Sequence, residues 1–307
     1  MTSSAPLLAA VIGGSNMDIV GVTNATLVHA DSQTGKVTMS AGGVARNIAE
    51  NLVRLGMKPT LCSVMGQDDH GRALWQHNES IGIDMCASAI LPMARSSVYM
   101  TVHDVNGELA VAVNDMAIMD LLTPEFIVRQ QHRLNQSSIW VLDTNLTPSS
   151  LLQIFNNHQT QRIFVDTVSA TKALRVKAHL PHIHTIKPNR IEAAALTGLT
   201  CNSTHDIQLA AQTLLAQGVQ QVVITLGDAG LYYASADEQG SLPAPTCPVV
   251  NTSGAGDALT AGLVYAHAHG GSLKDACQFA IGCATMTLGV AATNHPSLSS
   301  KAVHSLI

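Results

Sequence analysis

Short apolar segments alternate with amphipathic segments along most of the chain. Apolar runs of strand length occur at residues 7–12, 60–65, 139–142, 162–166, 185–187 and 222–226. Apolar residues recur at helical spacing in 44–55, and further helices are predicted at 68–80, 148–158, 190–196, 204–217, 256–269 and 273–288. Alternation of strands and helices predicts a parallel sheet with helices packed on both of its faces.

The segment 96–113 has a different pattern. Two β-prone runs, 97–102 and 108–113, flank an Asn106-Gly107 pair, which is a strong signal for a β-hairpin. Residues 19–21 and 36–39 are predicted to add strands to the same antiparallel piece. The sequence therefore predicts one α/β domain over 1–307, with a three-layer core and a small β-sheet lid. Two excursions, at about 17–41 and about 86–116, would form this lid.

Composition excludes several classes of protein. Hydrophobic residues make up 46% of the chain and charged residues 12%, which argues against disorder. A net charge of -5 provides no basic field for nucleic acid or an anionic membrane, so we expect neither as a partner. An aromatic content of 3% argues against a stacking platform for single strands.

The cysteines and the N-terminus bear on the compartment. None of the six cysteines forms a CxxC pair, so zinc and dithiol redox motifs are absent, and scattered cysteines are typical of a reducing compartment. Residues 1–6 lack the basic start of a signal peptide, and the apolar run 7–12 is too short to span a membrane. We expect a soluble cytoplasmic protein.

The run Gly254-Ala255-Gly256-Asp257 precedes an apolar helical segment. A turn of small residues at a helix N-terminus exposes backbone N–H groups, and these stabilise a phosphate together with the helix dipole. Asp257 in the first turn can then accept a proton from an attacking hydroxyl. The alternative is an ordinary capping aspartate after a glycine turn.

Three further segments have comparable features. Gly42-Gly43 opens a helix with Asn47 in its first turn, although a tight structural turn explains the pair equally well. Asn189 and Glu192 follow an apolar strand at the spacing of a capping box, which could be purely structural. The third segment is a strand followed by a glycine turn, and its residues of interest are Thr225, Gly227 and Gly230.

In this order, the segments resemble the ribokinase-like (PfkB) family of sugar and nucleoside kinases over essentially the whole chain. The resemblance implies a Rossmann-type α/β core with a β lid, ATP as phosphoryl donor, Mg²⁺, and a homodimer formed through the lid. It implies that Asp18, Gly42, Gly43 and Asn47 bind the substrate, and that Asn189 and Glu192 organise the Mg²⁺–phosphate region. Thr225, Gly227 and Gly230 would line the ATP site. Gly254, Ala255 and Gly256 would form an anion hole around the base, Asp257.

One position departs from the family pattern. Many relatives carry an aspartate that helps to bind a monovalent cation where this chain has Asn251, two residues before Ser253. An amide oxygen can coordinate a cation but brings no charge. We therefore expect a weak cation site at Asn251 and Ser253, with weak or absent K⁺ activation.

Other stretches resemble the bacterial pseudouridine kinases within that family. They surround Asp31, Lys36, Asn114-Asp115, Asp166 and Lys172, and imply a small-molecule nucleoside substrate phosphorylated on its 5′-hydroxyl. Asp31, Lys36 and Lys172 could equally be solvated charges. Asp143 and Asp166 each end a strand, on the usual ligand side of an open α/β sheet, and are further substrate-binding candidates.

Three other functions remain open at this point. A kinase of the same fold could act on ribose, a hexose or a purine nucleoside. A ligand-sensing protein without activity is a second alternative, against which the intact Gly254–Asp257 run argues. A dinucleotide-binding dehydrogenase is disfavoured because the segment after Gly13-Gly14 does not fit GxGxxG.

Overall fold

The computed structural model describes residues 7–307. The predicted lack of a signal peptide concerns residues 1–6, which lie outside this range. The first six residues of the predicted domain lie outside it as well.

The strands, in chain order, are β1 (Leu8–Ile12), β2 (Asn16–Thr23), β3 (Gly35–Gly42), β4 (Lys58–Cys62), β5 (Val64–Gly66), β6 (Ala89–Leu91), β7 (Ser97–His103), β8 (Leu109–Asp115), β9 (Ile139–Asp143), β10 (Arg162–Asp166), β11 (Thr185–Lys187), β12 (Gln221–Thr225), β13 (Leu231–Ser235) and β14 (Gln239–Leu242). The α-helices are α1 (Val44–Arg54), α2 (Asp69–Ser80), α3 (Pro124–Leu134), α4 (Pro148–Asn157), α5 (Ala170–Ala173), α6 (Arg190–Thr197), α7 (Thr204–Ala216), α8 (Ala255–Ala268), α9 (Leu273–Leu288) and α10 (Ser300–His304). Short 3-10 helices cover Ala117–Leu121, Leu174–His182 and Gly227–Ala229.

Eight strands form the large sheet in the order β14-β13-β12-β11-β10-β9-β1-β4. The six strands from β12 to β4 are parallel, and β13 and β14 continue the sheet in antiparallel pairing. From β1 the chain moves to β4 on one side, and it later returns to β9 on the other. The sheet therefore has a topological switch point between β1 and β9, where ligands bind in open α/β sheets.

Side chains of the central strands alternate between two hydrophobic cores. In β9, Trp140 and Leu142 pack on the side of α3, α4, α6 and α7. Ile139 and Val141 pack on the other side, with residues of α1, α8 and α9. This alternation, with period two, gives the three-layer arrangement that the sequence predicts.

The lid is a separate four-stranded sheet in the order β3-β2-β7-β8. Its outer pairs, β2–β3 and β7–β8, are antiparallel. The central pair β2–β7 is parallel, so the expectation of a wholly antiparallel piece is wrong. The two strands of this pair come from different excursions of the chain, which is why each begins at the core and runs outwards.

Other elements of the core also differ from the sequence expectations. The predicted strand at 60–65 is two strands, because the chain leaves β4 after Cys62 and β5 pairs with β6 in a small sheet of its own. The helix α3 and the antiparallel strands β13 and β14 were not predicted.

Among residues 7–307, no helix combines the length and apolarity needed to cross a membrane.

Candidate active site

Two helices differ from the others because no side chain caps their N-termini. Within the described residues, eight of the ten α-helices begin with a side-chain N-cap, from Asp68, Thr123, Thr147, Ser169, Asn189, Ser203, Ser272 and Ser299. The helices α1 and α8 begin instead at Gly43 and Gly254, which have no capping side chain. The two uncapped helices pack together, and their first turns meet through Asn47 and Asp257.

The N-terminus of α8 has the geometry of an anion-binding turn. Gly254 has φ 80°, and a side chain there would collide with the carbonyl of Thr293. Within residues 7–307, no acceptor bonds the N–H groups of Ala255, Gly256 and Asp257. Three free donors at the positive end of a 14-residue helix make a binding site for negative charge.

Asp257 lies in the first turn of α8 and is only 9% exposed. Its Oδ2 accepts a hydrogen bond from Asn47 Nδ2 at 2.8 Å. Burial, with the neighbouring charge of Asp166, raises the pKa of Asp257 to about 8, against the opposing effects of Asn47 and Lys187. A carboxyl group with a pKa close to physiological pH is suited to take up a proton and release it.

A row of charged side chains crosses the carboxyl ends of three adjacent strands. Asp143, Asp166 and Lys187 occupy paired positions on β9, β10 and β11. Lys187 Nζ lies 3.0 Å from Asp166 Oδ2, which also accepts a hydrogen bond from Thr260 Oγ1 of α8 at 2.8 Å. Burial alone would lower the pKa of Lys187, but the carboxylates of Asp166, Glu192 and Asp257 raise it. A fixed cation therefore lies beside the anion-binding turn.

Asp143 has a structural role in this row. Its carboxylate is completely buried and accepts hydrogen bonds from the backbone N–H groups of Gly14, Ala45 and Asn145 at 2.8–3.0 Å. These bonds join the ends of β1 and β9 to the start of α1. The predicted contact between Asp143 and a substrate therefore does not fit the structure, since the side chain is enclosed by its own backbone partners.

The segment after β11 forms a closed hydrogen-bond unit. Asn189 caps α6 and forms a capping box with Glu192, as its spacing indicated. The carboxylate of Glu192 accepts from the Asn189 backbone, the Asn189 side chain and Thr167 Oγ1. A carboxylate with three donors is poorly placed to ligate a metal directly. The arrangement fits the indirect role predicted for Glu192.

The predicted ATP-site residues lie next to this unit. Thr225, at the end of β12, forms a β-bridge with Asn189. Gly227 and Gly230 follow in a tight turn and have φ values of 68° and 90°. The structure thus groups Thr225, Gly227 and Gly230 with Asn189 at one end of the carboxyl edge.

The core-proximal part of the lid brings other predicted residues together. Asp18 on β2 is half-buried, and a side chain at Gly42 would collide with its carboxylate. Burial raises the pKa of Asp18, although Asn16 Nδ2 donates to its Oδ1 at 2.5 Å. Strand pairing places Ser40, Asp18, Tyr99 and Asn114 in one row across the lid, and therefore on one face. Asp18 and Asn114 share this polar row.

Three predicted substrate residues are not brought to this row. Asp31 lies in the exposed outer loop between β2 and β3. Lys36 is four residues from Ser40 along β3, which places it about 13 Å outwards along an extended strand. Asp115 follows Asn114 directly, so its side chain belongs to the opposite face, where Oδ1 accepts from Ala117 N. Local sequence could not reveal these placements, because they depend on strand register.

Asn251 and Ser253, the predicted cation site, are joined by a local turn. Asn251 Oδ1 accepts from Ser253 N at 3.0 Å, and Nδ2 donates to the carbonyl of Ala291 at 3.0 Å. Both ends of the amide therefore have protein partners. The amide oxygen that a cation would require is already hydrogen-bonded.

Comparison with known proteins agrees with this geometry. Residues 7–300 match the model of the pfkB family carbohydrate kinases. The chain belongs to the PfkB family. Within it, pseudouridine kinase of Escherichia coli strain K12 is 36% identical over 298 residues, covering 97% of this chain and 95% of the relative. An uncharacterized sugar kinase of the same strain is 35% identical, covering 97% of this chain and 82% of the relative.

Solved structures show the ribokinase-like fold for this PfkB chain. Ribokinase from Thermotoga maritima superposes with a TM-score of 0.84 at 20% identity, covering 98% of this chain and 99% of the other. Arabidopsis thaliana ribokinase, in complex with ribose and ATP, superposes with a TM-score of 0.81 at 20% identity, covering 99% of both chains. The ribokinase-like α/β fold expected from the sequence is therefore confirmed.

Sequence reasoning missed four residues that the structure places around Asp257. Lys187 and Thr260 contact Asp166, and Arg46 and Asn294 contact Asn47. A lysine that ends a short apolar strand is an indication of a buried ion pair, and this signal could have identified Lys187. No local pattern marks Asn294, which reaches Asn47 from 247 residues further along the chain.

Proposed function

We propose that this PfkB-family kinase transfers the γ-phosphoryl group of ATP to the 5′-hydroxyl of pseudouridine, with Asp257 as the base. The observation that carries the proposal is the meeting of Asn47 with Asp257 at the uncapped N-terminus of α8. A buried carboxyl group, three free N–H donors and a buried lysine lie together there. Phosphoryl transfer needs this combination of base, anion hole and positive charge.

The proton path follows from the hydrogen bonds of Asp257. Oδ2 accepts from Asn47, which leaves Oδ1 to accept the proton of the substrate hydroxyl. Because burial raises the pKa of Asp257, part of the enzyme carries a protonated Asp257 near neutral pH. We therefore expect kcat/KM to rise with pH until Asp257 is fully ionised, since only the carboxylate can accept the proton.

The charge of the transferred group is met by fixed groups of the chain. The N–H groups of Ala255, Gly256 and Asp257 would receive the phosphoryl oxygens, and Lys187 Nζ lies beside Gly256. Mg²⁺, when bound with ATP, would offset charge on the phosphates, with Asn189 and Glu192 shaping its surroundings through the capping box. Thr225, Gly227 and Gly230 would line the remainder of the ATP site.

The choice of a nucleoside is supported by the lid and by the similarity to pseudouridine kinase. Asp18 would accept hydrogen bonds from the vicinal hydroxyls of a ribosyl group, and Asn114 in the same row would offer an amide to a base. Lys172 Nζ donates to Asn145 Oδ1 at 2.6 Å, at the carboxyl end of β9. A uracil-like ring has the alternating donors and acceptors that such side chains recognise.

We further propose that the lid mediates a homodimer. The lid face opposite Asp18 carries a row formed by Met39, Ile19, Met100 and Val113. Exposed fractions of 54% for Met39, 41% for Met100 and 52% for Val113 leave this apolar row open in the single chain. Burying such side chains contributes roughly 1.5–3 kcal/mol each. A second lid, with the same apolar face, would cover them.

An ADP-release assay tests the function directly. The enzyme is supplied with ATP, Mg²⁺ and, in separate reactions, pseudouridine, uridine, adenosine, ribose or fructose. We expect the highest kcat/KM with pseudouridine. A preference for uridine, adenosine or a sugar would contradict the assignment of pseudouridine as substrate but would leave the assignment of kinase activity intact. The absence of turnover with every acceptor would contradict kinase activity on these classes of substrate.

A further inference from the structure

A buried polar network surrounds the amide of Asn47. Arg46 Nη1 donates to Asn47 Oδ1 at 3.0 Å, and Asn294 Nδ2 approaches the same oxygen at 3.4 Å. The exposed fraction is 1% for Arg46 and 6% for Asn294. Within residues 7–307, neither residue forms a hydrogen bond or ion pair with Asp257, and the hydrogen bonds connect them to it through Asn47.

These two donors determine which way the Asn47 amide faces. With Oδ1 between a guanidinium and an amide N–H, Nδ2 is directed to the carboxylate of Asp257. The reversed amide would place Nδ2 against Arg46 and Oδ1 against Asp257, which are both unfavourable contacts. The observed orientation is therefore the one that donates to the carboxylate.

The network is itself firmly held. Arg46 Nε donates to Asn78 Oδ1 of α2 at 3.1 Å, and Arg46 Nη1 also donates to the carbonyl of Ala41 at 3.1 Å. Glu50 accepts from Arg46, Arg54 and Asn294. Arg46 is therefore fixed from α1, α2 and the end of β3. A residue with this many partners cannot follow Asn47 if Asn47 rotates, so it holds Asn47 in place.

Asn294 connects the network to the anion-binding turn. Its neighbour Thr293 supplies the carbonyl that packs against Gly254. Asn51 Nδ2 donates to Asn294 Oδ1 at 3.1 Å, and Asn294 Nδ2 donates to Glu50 Oε2 at 2.8 Å. The loop after α9 thus contacts the starts of both uncapped helices.

We propose that Arg46 and Asn294 are positioning residues that hold the Asn47 amide so that it donates to Asp257 and favours the charged form of this carboxyl group. The inference rests on the proposed function, in which Asp257 is the base. In this proposal Arg46 and Asn294 act through Asn47 and not on the reacting groups themselves.

The expected consequence is a change in the protonation of Asp257. Asn47 acts to lower the pKa of Asp257, together with Lys187 on β11, whereas Asp166 on β10 and Asp143 on β9 raise it. When the Asn47 amide is no longer held, its hydrogen bond weakens and the pKa of Asp257 rises. At pH 7 a smaller fraction of enzyme is then ionised, and kcat falls.

Arg46→Lys and Arg54→Lys form a matched pair of variants. Both residues pair with Glu50 at a spacing of four on α1, and both changes keep the charge. Only Arg46 contacts Asn47, whereas Arg54 donates to the carbonyl of Pro296. We expect Arg46→Lys to lower kcat at pH 7 about tenfold and to move the acid limb of the pH profile about one unit upwards. Arg54→Lys should change neither.

Two further measurements complete the test. The pKa of Asp257 is measured by NMR in protein labelled with ¹³C-aspartate, with Asp257→Asn assigning the resonance. It should rise in Arg46→Lys and in the neutral variant Asn294→Ala, which serves if Arg46→Lys fails to fold. In an Asn47→Ala background, Asn294→Ala should cause no further loss of kcat, because its effect passes through Asn47.

The outcomes separate this inference from the proposed function. An unchanged Asp257 pKa in both Arg46→Lys and Asn294→Ala would overturn the positioning role, as would equal shifts in Arg46→Lys and Arg54→Lys. The NMR titration does not require turnover. It therefore decides the positioning role even if the wild-type enzyme phosphorylates none of the acceptors tested, a result that would count against the proposed function alone.

Discussion

The carboxyl edge of the large sheet and the lid both carry predicted site residues, but they hold them differently. At the edge, Asp257, Lys187 and Asp166 are buried, and each is fixed by at least one partner from another element. In the lid, most of β3 and all of β8 are exposed, and side chains are positioned mainly by strand register. The charged side chains at the edge are thus held in one fixed arrangement, whereas the lid has one polar face and one apolar face.

The largest expected difference concerns the base. Asp257→Asn removes the proton acceptor but keeps the shape and the bond partner of the side chain. We expect kcat to fall by roughly 10²–10⁴, with a much smaller change in KM, because the positioned base acts mainly in the transition state. Steady-state kinetics with ATP and the preferred acceptor check this, and near-normal turnover would remove Asp257 from the role of base.

The lid comparison is tested with two adjacent residues that face opposite ways. Met39 belongs to the apolar row, and Thr38 lies on the face of Asp18. Met39→Lys should shift a dimer to monomer in sedimentation velocity, because an ammonium group would be buried in an apolar interface. Thr38→Lys, at a position that is also exposed to solvent in the single chain, should remain dimeric. A monomeric wild type, or equal dissociation of both variants, would contradict the lid interface.

Asn251, three residues before Gly254 of the anion-binding turn, is expected to have a smaller effect on kcat. Because the Asn251 amide bonds both Ser253 and Ala291, replacing Na⁺ by K⁺ should change kcat little. Asn251→Asp removes the donor to the Ala291 carbonyl and adds charge, so this variant should become sensitive to K⁺. Initial rates in NaCl and KCl at equal concentration measure the K⁺ dependence of the wild type and of Asn251→Asp. A large rise of wild-type turnover with K⁺ would show that the asparagine does not prevent cation activation.

The last comparison concerns stability and not turnover. The pKa of Asp257 is raised above its unfolded value, so the folded state binds more protons than the unfolded state between pH 3.8 and about 8. Stability contributed by this group is therefore lost as pH rises through that window. Asp257→Asn should raise Tm relative to wild type at pH 9 and not at pH 4, by about 2–4 °C for each kcal/mol gained. Differential scanning calorimetry at the two pH values measures the difference in Tm, and an equal difference at pH 9 and pH 4 would contradict the burial argument.

How much the sequence predicts differs between these two regions. The hydrophobic periods locate the parallel strands and most helices, and the glycine turns locate the starts of α1 and α8, because these features depend on local backbone preferences. The row Asp143, Asp166 and Lys187 follows from parallel register, yet only its carboxylates were singled out. Local sequence does not show that backbone donors enclose Asp143, since two of its three donors, Gly14 and Ala45, come from distant segments.

The sequence predicted that the lid is a sheet but did not predict the direction and register in which its strands pair. Its hairpin was evident from Asn106-Gly107, but β2 and β7 pair in parallel across more than 70 residues of intervening sequence. Register decides that Asn114 faces the row of Asp18 and that Asp115 faces away. The same register creates the apolar row on the other face, which no single strand reveals.

The most direct test of the central claim is identification of the reaction product by ³¹P NMR. Wild-type enzyme with ATP, Mg²⁺ and pseudouridine should produce ADP and a new phosphomonoester resonance, split by the two 5′-protons of the nucleoside. Asp257→Asn should produce this resonance only very slowly. If wild-type enzyme produced inorganic phosphate alone, or a phosphomonoester on another hydroxyl, phosphorylation at the 5′-position through Asp257 would be contradicted.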